Sequence, residues 1–184
     1  ALSKFHSASR SWTFARGPET HRTFRDKMLR VGLTGSIGVG KSFVGSLFVE
    51  LGCKLLDADD TAREVVLPGT QGLRAVVAEF GGDVLRSDGT LDRKHLAAIV
   101  FDDQQKRQKL NAILHPLIIE RQDQIMRDWE ISDPDGIGII DAALMIESGG
   151  YKRFDKLIVV HCRPEVQLER LILRNELSRE EAQR

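Results

Sequence analysis

The sequence has no net charge at neutral pH, only two cysteines and no long apolar run. Cys53 and Cys162 lie far apart and show no metal or redox spacing, so neither a zinc site nor a disulfide scaffold is indicated. No apolar stretch approaches the roughly 20 residues that cross a membrane. Each cysteine lies in an apolar, strand-like run, which predicts buried, reduced thiols in a cytoplasmic protein without a membrane partner.

The absence of net charge conceals a difference between residues 1–27 and the rest of the chain. Residues 1–27 hold more basic than acidic side chains, are rich in serine and show no helix or strand period. The remaining residues carry a slight excess of acidic side chains, which does not indicate a nucleic-acid partner. We interpret residues 1–27 as a disordered extension, with Met28 as the functional start. An organelle transit peptide, which is also rich in Arg and Ser and poor in acids, is the alternative.

Residues 35–42, with the sequence GSIGVGKS, fit the phosphate-loop pattern G-x-x-x-x-G-K-[ST] at every fixed position. The preceding residues 29–33 are apolar and typical of a β-strand. Residues 43–51 place their apolar side chains at helical spacing, and Gly52 stands where a helix-ending glycine belongs. A strand, a loop and a helix in this order are the context in which the pattern binds phosphates. The predicted phosphate-binding residues are Gly35, Gly38, Val39, Gly40, Lys41, Ser42 and Phe43.

The chemistry of such a loop follows from its backbone. Glycines let successive N–H groups point inward at an anion, and the positive end of the following helix reinforces them. Lys41 is expected to reach the β- and γ-phosphates of a nucleotide, and the Ser42 hydroxyl is expected to bind Mg²⁺. The loop therefore predicts that the chain binds a nucleotide together with Mg²⁺.

A second buried strand, over residues 53–59, ends in acidic side chains. Asp57 and Asp59 are two residues apart, so an extended chain would place both on one face. Ligands of open α/β sheets gather outside the carboxyl ends of the strands, which brings these carboxylates near the phosphate loop. There they would serve as a base or hold a Mg²⁺-bound water. The structural alternative is a helix N-cap, which Asp59 or Asp60 would provide for residues 61–66.

Residues 68–129 show helical patterns and turns with no strand between them. Helices are predicted over residues 71–80, over residues 93–101 with Asp92 as N-cap, and over residues 104–114. Pro116 is predicted to open a further helix over residues 117–129. This is more helix than one crossover needs, so it indicates an inserted helical subdomain that confers substrate specificity. A plain helical cap is the alternative.

Two further apolar runs predict parallel strands that are buried on both faces. Residues 137–141 end in Asp141, which occupies the position of a Walker-B aspartate, and residues 156–162 form the other run. A helix over residues 165–173 follows, and Ser178 begins another. The predicted fold class is α/β, a P-loop NTPase fold with a parallel sheet, helices on both faces, an inserted helical substrate subdomain and a partial lid.

From Met28 onward the chain resembles the dephospho-CoA kinases, with the motifs in family order. The matching segments are the phosphate loop, Asp57-Ala58-Asp59 with Arg63, residues 88–91 (DGTL) with Arg93, residues 110–118 (LNAILHPLI) and residues 167–182. The resemblance implies that ATP, with Mg²⁺, phosphorylates the ribose 3′-hydroxyl of dephospho-CoA, the final step of coenzyme A synthesis. It also implies a parallel-stranded core, a helical CoA-binding subdomain and a mobile lid.

The resemblance further implies roles for individual residues. Asp59 is the expected general base for the ribose hydroxyl, and Lys41 and Arg174 are the other expected catalytic residues. Asp57 and Arg63 are expected to bind the substrate. These roles suit phosphoryl transfer, whose transition state needs its spread negative charge neutralised and its two oxygens aligned.

The same resemblance divides the chain into parts. The kinase domain covers residues 28–184, with a core over residues 28–60 and 136–172. The CoA-binding insertion covers residues 61–135, and the lid begins at residues 173–184. Arg170, just before the lid, is expected to add positive charge beside Arg174. The sequence pattern favours neither a monomer nor an oligomer.

Three departures from the family pattern leave alternatives open. Phe43 stands where the family usually has a threonine that meets a phosphate, and residues 143–147 (ALMIE) replace a P-L-L-F-E segment. The sequence also stops at Arg184, before the rest of the lid, a fifth strand and a final helix. The alternatives are another small-molecule P-loop kinase, or a truncated ATP-binding remnant without turnover.

Overall fold

The computed structural model describes residues 27–175 and 178–182. Nearly all of the predicted N-terminal extension lies outside the described residues, as do residues 176, 177, 183 and 184 of the predicted lid. The described part is an α/β structure built around a parallel sheet, which confirms the predicted fold class.

The described residues form four strands and seven α-helices. The strands are β1 Leu29–Gly35, β2 Lys54–Asp57, β3 Ile137–Asp141 and β4 Lys156–Val160. All pair in parallel, in the order β2-β3-β1-β4. The helices are α1 Lys41–Glu50, α2 Ala58–Glu64, α3 Gln71–Phe80, α4 Arg93–Phe101, α5 Gln104–Ser132, α6 Pro164–Asn175 and α7 Arg179–Ala182. No described helix has both the length and the apolarity to cross a membrane.

The sheet is covered on both faces, as continuous apolar strands predict. On one face, Val31, Leu33 and Ile139 pack against side chains of α1. On the other face, Ile140 and Met28 pack against the C-terminal half of α5, including Met126. Neighbouring residues Ile139 and Ile140 point to opposite faces because side chains alternate along a strand. The sheet is thereby fixed from both sides, and the carboxyl ends of its strands form one edge.

The helical segment between β2 and β3 has a hydrophobic core of its own. Its buried members are Val66, Leu73, Val76, Val84, Leu91 and Leu96. The bounds of α3 and α4 agree with the prediction, and Asp92 caps α4 by accepting a hydrogen bond from the His95 backbone N–H at 2.9 Å. This separate core supports the prediction that residues 61–135 form a helical insertion. The bounds of the insertion stay a prediction.

Helix α5 differs from the prediction, because it runs through Pro116 without a break. A proline inside a helix removes one backbone hydrogen bond, here the one to the carbonyl of Ala112. Packing on both sides of the proline offsets that loss. Leu114 contacts the core of the helical segment, and Trp129 contacts the sheet. One continuous helix therefore links the two cores.

The end of β2 also differs from the prediction. The strand stops at Asp57 and α2 begins at Ala58, so Asp59 is helical and the expectation of an extended chain over residues 57–59 is wrong. The cause is local, since the Asp57 carboxylate caps the helix and accepts a hydrogen bond from the Asp59 backbone N–H at 2.7 Å. The cap was expected at Asp59 or Asp60. Both carboxylates still lie just after the carboxyl end of the strand.

Candidate active site

The phosphate loop connects β1 to α1, as predicted. Gly35 ends β1 in register with Val160 of β4. Gly38 and Gly40 adopt positive φ values of 77° and 95°, a backbone form that other residues rarely take. Gly40 occupies the N-cap position of α1 without a side-chain hydrogen bond. The first N–H groups of α1 therefore remain available to an anion at the positive end of the helix.

The other loop residues differ in exposure. Val39 is 7% exposed and anchors the loop in the interior. Ser42, in the first turn of α1, has an exposed side chain that can turn its hydroxyl to a ligand. Phe43 is 67% exposed, and its phenyl ring offers no hydroxyl to a phosphate.

Lys41 forms an ion pair with Asp141, the last residue of β3. The Asp141 side chain is only 8% exposed, so its charge depends on a nearby cation. Asp141 is in register with Leu33 on β1 and with Asp57 on β2. The sheet therefore brings the loop lysine and two strand-end carboxylates to one edge. An incoming phosphate would compete with Asp141 for the Lys41 ammonium group.

The two candidate carboxylates after β2 have different surroundings. The Asp57 carboxylate is engaged as the cap of α2. The Asp59 side chain is exposed in the first turn of α2 and forms no hydrogen bond within the described residues. Of these two carboxylates, that of Asp59 is the one left without a hydrogen-bond donor among the described residues.

Two arginines lie on the same side of the helical segment. Arg63, in the last turn of α2, donates a hydrogen bond to Asp60 at 2.8 Å and is largely exposed. Partial burial lowers the pKa of Arg93, and the neighbouring positive charge of Arg63 lowers it further. The two guanidinium groups are therefore close enough for their positive charges to interact.

Helix α6 brings side chains to the phosphate loop. Arg170 donates a hydrogen bond to the Val39 carbonyl at 2.9 Å, and Gln167 donates one to the Ile37 carbonyl at 2.7 Å. Arg174, one turn further along, is exposed, and its side chain forms no hydrogen bond with the described residues. Of the two lid arginines, Arg170 is the one in contact with the loop.

Sequence reasoning missed part of this arrangement. Asp141 was recognised as a strand-end acid but not as the partner of Lys41. Gln167 was noted only within a matching segment, and Arg174 was favoured over Arg170. The spacing of Gln167 and Arg170 places both on one face of α6, and that signal was available.

Comparisons with known proteins identify the family of the chain. The family model Dephospho-CoA kinase matches residues 29–184. The chain belongs to the dephospho-CoA kinase family. It is 51% identical to a dephospho-CoA kinase from Streptomyces avermitilis over 146 residues, which cover 79% of this chain and 69% of the relative. It is 44% identical to the Listeria monocytogenes enzyme over 156 residues, which cover 83% of this chain and 76% of that one.

A solved structure gives the same result for the fold. A crystal structure from Thermus thermophilus superposes with a TM-score of 0.67 at 28% identity, covering 85% of this chain and 78% of the other. Membership of the dephospho-CoA kinase family makes the chain an enzyme that uses ATP to phosphorylate dephospho-CoA, the final step of coenzyme A synthesis. The resemblance predicted from the motifs is confirmed.

Proposed function

We propose that the carboxyl edge of the sheet divides this reaction between two groups of residues. The phosphate loop and Lys41 bind the ATP phosphates, and Asp59 with Arg63 receives the ribose of dephospho-CoA. The observation that carries the proposal is the sheet register, which sets the ends of β1, β2 and β3 side by side. Donor and acceptor then meet outside these strand ends, where open α/β sheets bind their ligands.

The donor group acts through fixed positive charge. The N–H groups of the loop and of the first turn of α1 bind phosphate oxygens. Lys41 leaves Asp141 and pairs with the β- and γ-phosphates as ATP arrives. Arg174 and Arg170, from α6, neutralise charge that spreads over the transferring group. Little covalent chemistry is required of the protein, because phosphoryl transfer depends mainly on positioning and on charge stabilisation.

The chemistry of the donor set fits Mg²⁺. Within the described residues no three His, Cys, Asp or Glu side chains form a metal-binding group. In kinases Mg²⁺ binds through one or two protein oxygens, waters and the substrate phosphates. The Ser42 hydroxyl would hold the ion, and Asp141 would hold one of its waters once Lys41 has left. Mg²⁺ supplies neutralisation of the phosphate charge.

The acceptor group acts through Asp59. Its exposed carboxylate accepts the proton of the ribose 3′-hydroxyl as that oxygen attacks the γ-phosphorus, and the bond from the γ-phosphorus to the bridging oxygen breaks to release ADP. Asp57 holds the first turn of α2 in place through its cap, so it orients Asp59 toward the acceptor. Arg63 binds anionic groups of dephospho-CoA after exchanging its contact with Asp60. A cytoplasmic location and the lack of nucleic-acid and membrane partners stay predictions.

The test compares two neighbouring aspartates on α2. An Asp59→Asn variant keeps the size of the side chain but cannot act as a base, and we expect kcat to fall about 10²- to 10⁴-fold. Asp60→Asn, on the same exposed turn, is the matched control and should keep kcat within about threefold. The measurement is release of ADP from ATP and Mg²⁺ that depends on dephospho-CoA. Equal rates for the two variants would refute the assignment of Asp59 as the base.

A further inference from the structure

Helix α6 packs directly on the phosphate loop. A Cβ atom added at Gly38 would lie 3.2 Å from the Leu171 side chain and 3.3 Å from the Gln167 carbonyl oxygen. A Cβ at Gly40 would lie 3.0 Å from the Arg170 guanidinium group. The loop is thus in contact with α6 along its outer side, and the glycines permit the close approach.

This contact satisfies the polar groups on the outer side of the loop. When backbone N–H groups turn inward to bind an anion, the carbonyl groups of the same peptides turn outward. Gln167 donates its amide N–H to the Ile37 carbonyl at 2.7 Å and to the Ser36 hydroxyl at 3.3 Å. Arg170 donates to the Val39 carbonyl at 2.9 Å and to the Gly38 carbonyl at 3.5 Å. Two side chains of α6 thus bond three consecutive carbonyl groups.

The two side chains differ in what they can do when ATP binds. Arg170 carries a charge and sits beside the site of the phosphates, so its guanidinium group can exchange the carbonyls for a phosphate oxygen. Gln167 is neutral and gains little from such an exchange. Its bonds are therefore the ones that hold the outer side of the loop both before and after the nucleotide binds.

We propose that Gln167 is a positioning residue, which fixes the Ile37 peptide so that the following loop N–H groups face the phosphates of ATP. The proposal rests on the assignment of the loop as the ATP site. It makes α6 the support of the phosphate loop in addition to the carrier of the lid arginines. Loss of the Gln167 donor leaves the Ile37 carbonyl without its partner and lets that peptide rotate.

The test removes the donor while keeping the shape. Gln167→Met has a similar length but no N–H group, and we expect the Kd for ATP to rise about tenfold. The KM for dephospho-CoA should stay within about twofold, because the acceptor group does not contact Gln167. Without nucleotide, the backbone amides of residues 36–40 should exchange with deuterium about tenfold faster than in the wild type.

Three further variants make the result decisive. Gln167→Glu is a second donor-free variant and should reproduce the effects of Gln167→Met even if the latter folds poorly. Gln167→Lys retains an N–H donor and should restore slow amide exchange in the loop. Glu169→Met, an exposed neighbour on α6, is the matched control and should behave as the wild type.

Two outcomes would overturn the proposal. One is unchanged ATP affinity and loop exchange in both donor-free variants. The other is an equal change in Glu169→Met, which would indicate a general effect on α6. Both readouts use ATP alone or no ligand, so they decide the role of Gln167 even if the proposed acceptor chemistry fails its own test.

Discussion

The donor and acceptor sides of the site are built in different ways. On the donor side, the loop is fixed by left-handed glycines, by the buried Asp141 partner of Lys41 and by hydrogen bonds from α6. On the acceptor side, Asp59 and Arg63 are exposed, and their described contacts come from residues two or three positions away. Long-range contacts hold the donor side, whereas the hydrogen bonds that Asp59 and Arg63 make with the described residues are local.

From this difference we expect ATP to bind groups that are already oriented, and dephospho-CoA to bind side chains that are still mobile. The backbone N–H groups of the phosphate loop are already oriented before ATP arrives, and fixed dipoles of this kind cost no reorganisation during catalysis. The acceptor side chains can be drawn into place by dephospho-CoA, at the cost of side-chain entropy that its binding must offset.

Among the changes on the donor side, the largest effect is expected at Lys41. Lys41→Met removes the cation that we propose binds the β- and γ-phosphates, so kcat for dephospho-CoA-dependent ADP release should fall on the order of 10²- to 10³-fold. The same change leaves the buried Asp141 carboxylate without its partner, and the free energy of unfolding should fall by roughly 3 kcal/mol in urea titration.

A double variant separates these two effects. Adding Asp141→Asn to Lys41→Met removes the unpaired charge and should recover most of the lost stability but none of the lost kcat. If the double variant were as unstable as Lys41→Met, the ion pair would not be what stabilises this edge.

A smaller effect is expected from two glycine substitutions, one at the contact with α6 and one away from it. Gly38→Ala and Gly69→Ala both force alanine into a positive φ, 77° and 85° respectively, and both should cost about 1–2 kcal/mol of stability. An added methyl group meets α6 at Gly38 and nothing within 4 Å at Gly69. Gly38→Ala alone should therefore weaken ATP binding, by about tenfold in calorimetric titration. Equal ATP affinity in the two variants would show that α6 does not support the loop.

The smallest effect is expected in the acid stability of the helical segment. The backbone hydrogen bond from His95 holds the pKa of Asp92 below its ordinary value of 3.8. A carboxyl with a lowered folded pKa adds stability above its ordinary pKa, and this is lost as the pH falls through the folded pKa. Asp92→Asn keeps a good cap without a charge. Its unfolding free energy should fall less than that of the wild type between pH about 5 and 2.5. If the free energy of unfolding fell equally with pH in the two proteins, the charge of Asp92 would not contribute to acid stability.

The sequence predicts those features whose causes lie within a few residues. The loop glycines, the bounds of α3, α4 and β3 and the Asp92 cap depend on local pattern and local hydrogen bonds. The fold class follows from continuous apolar strands that alternate with helices. The family resemblance rests on motifs of the same short range.

The rest depends on contacts between distant parts of the chain. Lys41 and Asp141 are 100 positions apart, and Gln167 is 130 positions from Ile37. No local pattern pairs them. The predicted helix start at Pro116 is wrong because packing on both sides of the proline keeps α5 continuous. The residues next to Pro116 in the sequence do not indicate that packing. The Asp57 cap was missed because three aspartates at positions 57, 59 and 60 compete for one role.

The most direct measurement is a crossed binding experiment by isothermal titration calorimetry. ATP with Mg²⁺ and dephospho-CoA are titrated separately into the wild type, Lys41→Met and Arg63→Gln. We expect Lys41→Met to raise the Kd for ATP about tenfold or more and to leave the Kd for dephospho-CoA within about twofold. Arg63→Gln should raise the Kd for dephospho-CoA about tenfold or more and leave the Kd for ATP within about twofold. If either variant weakened both ligands equally, the two sides of the site would not be separate, and the division proposed for this edge of the sheet would be wrong.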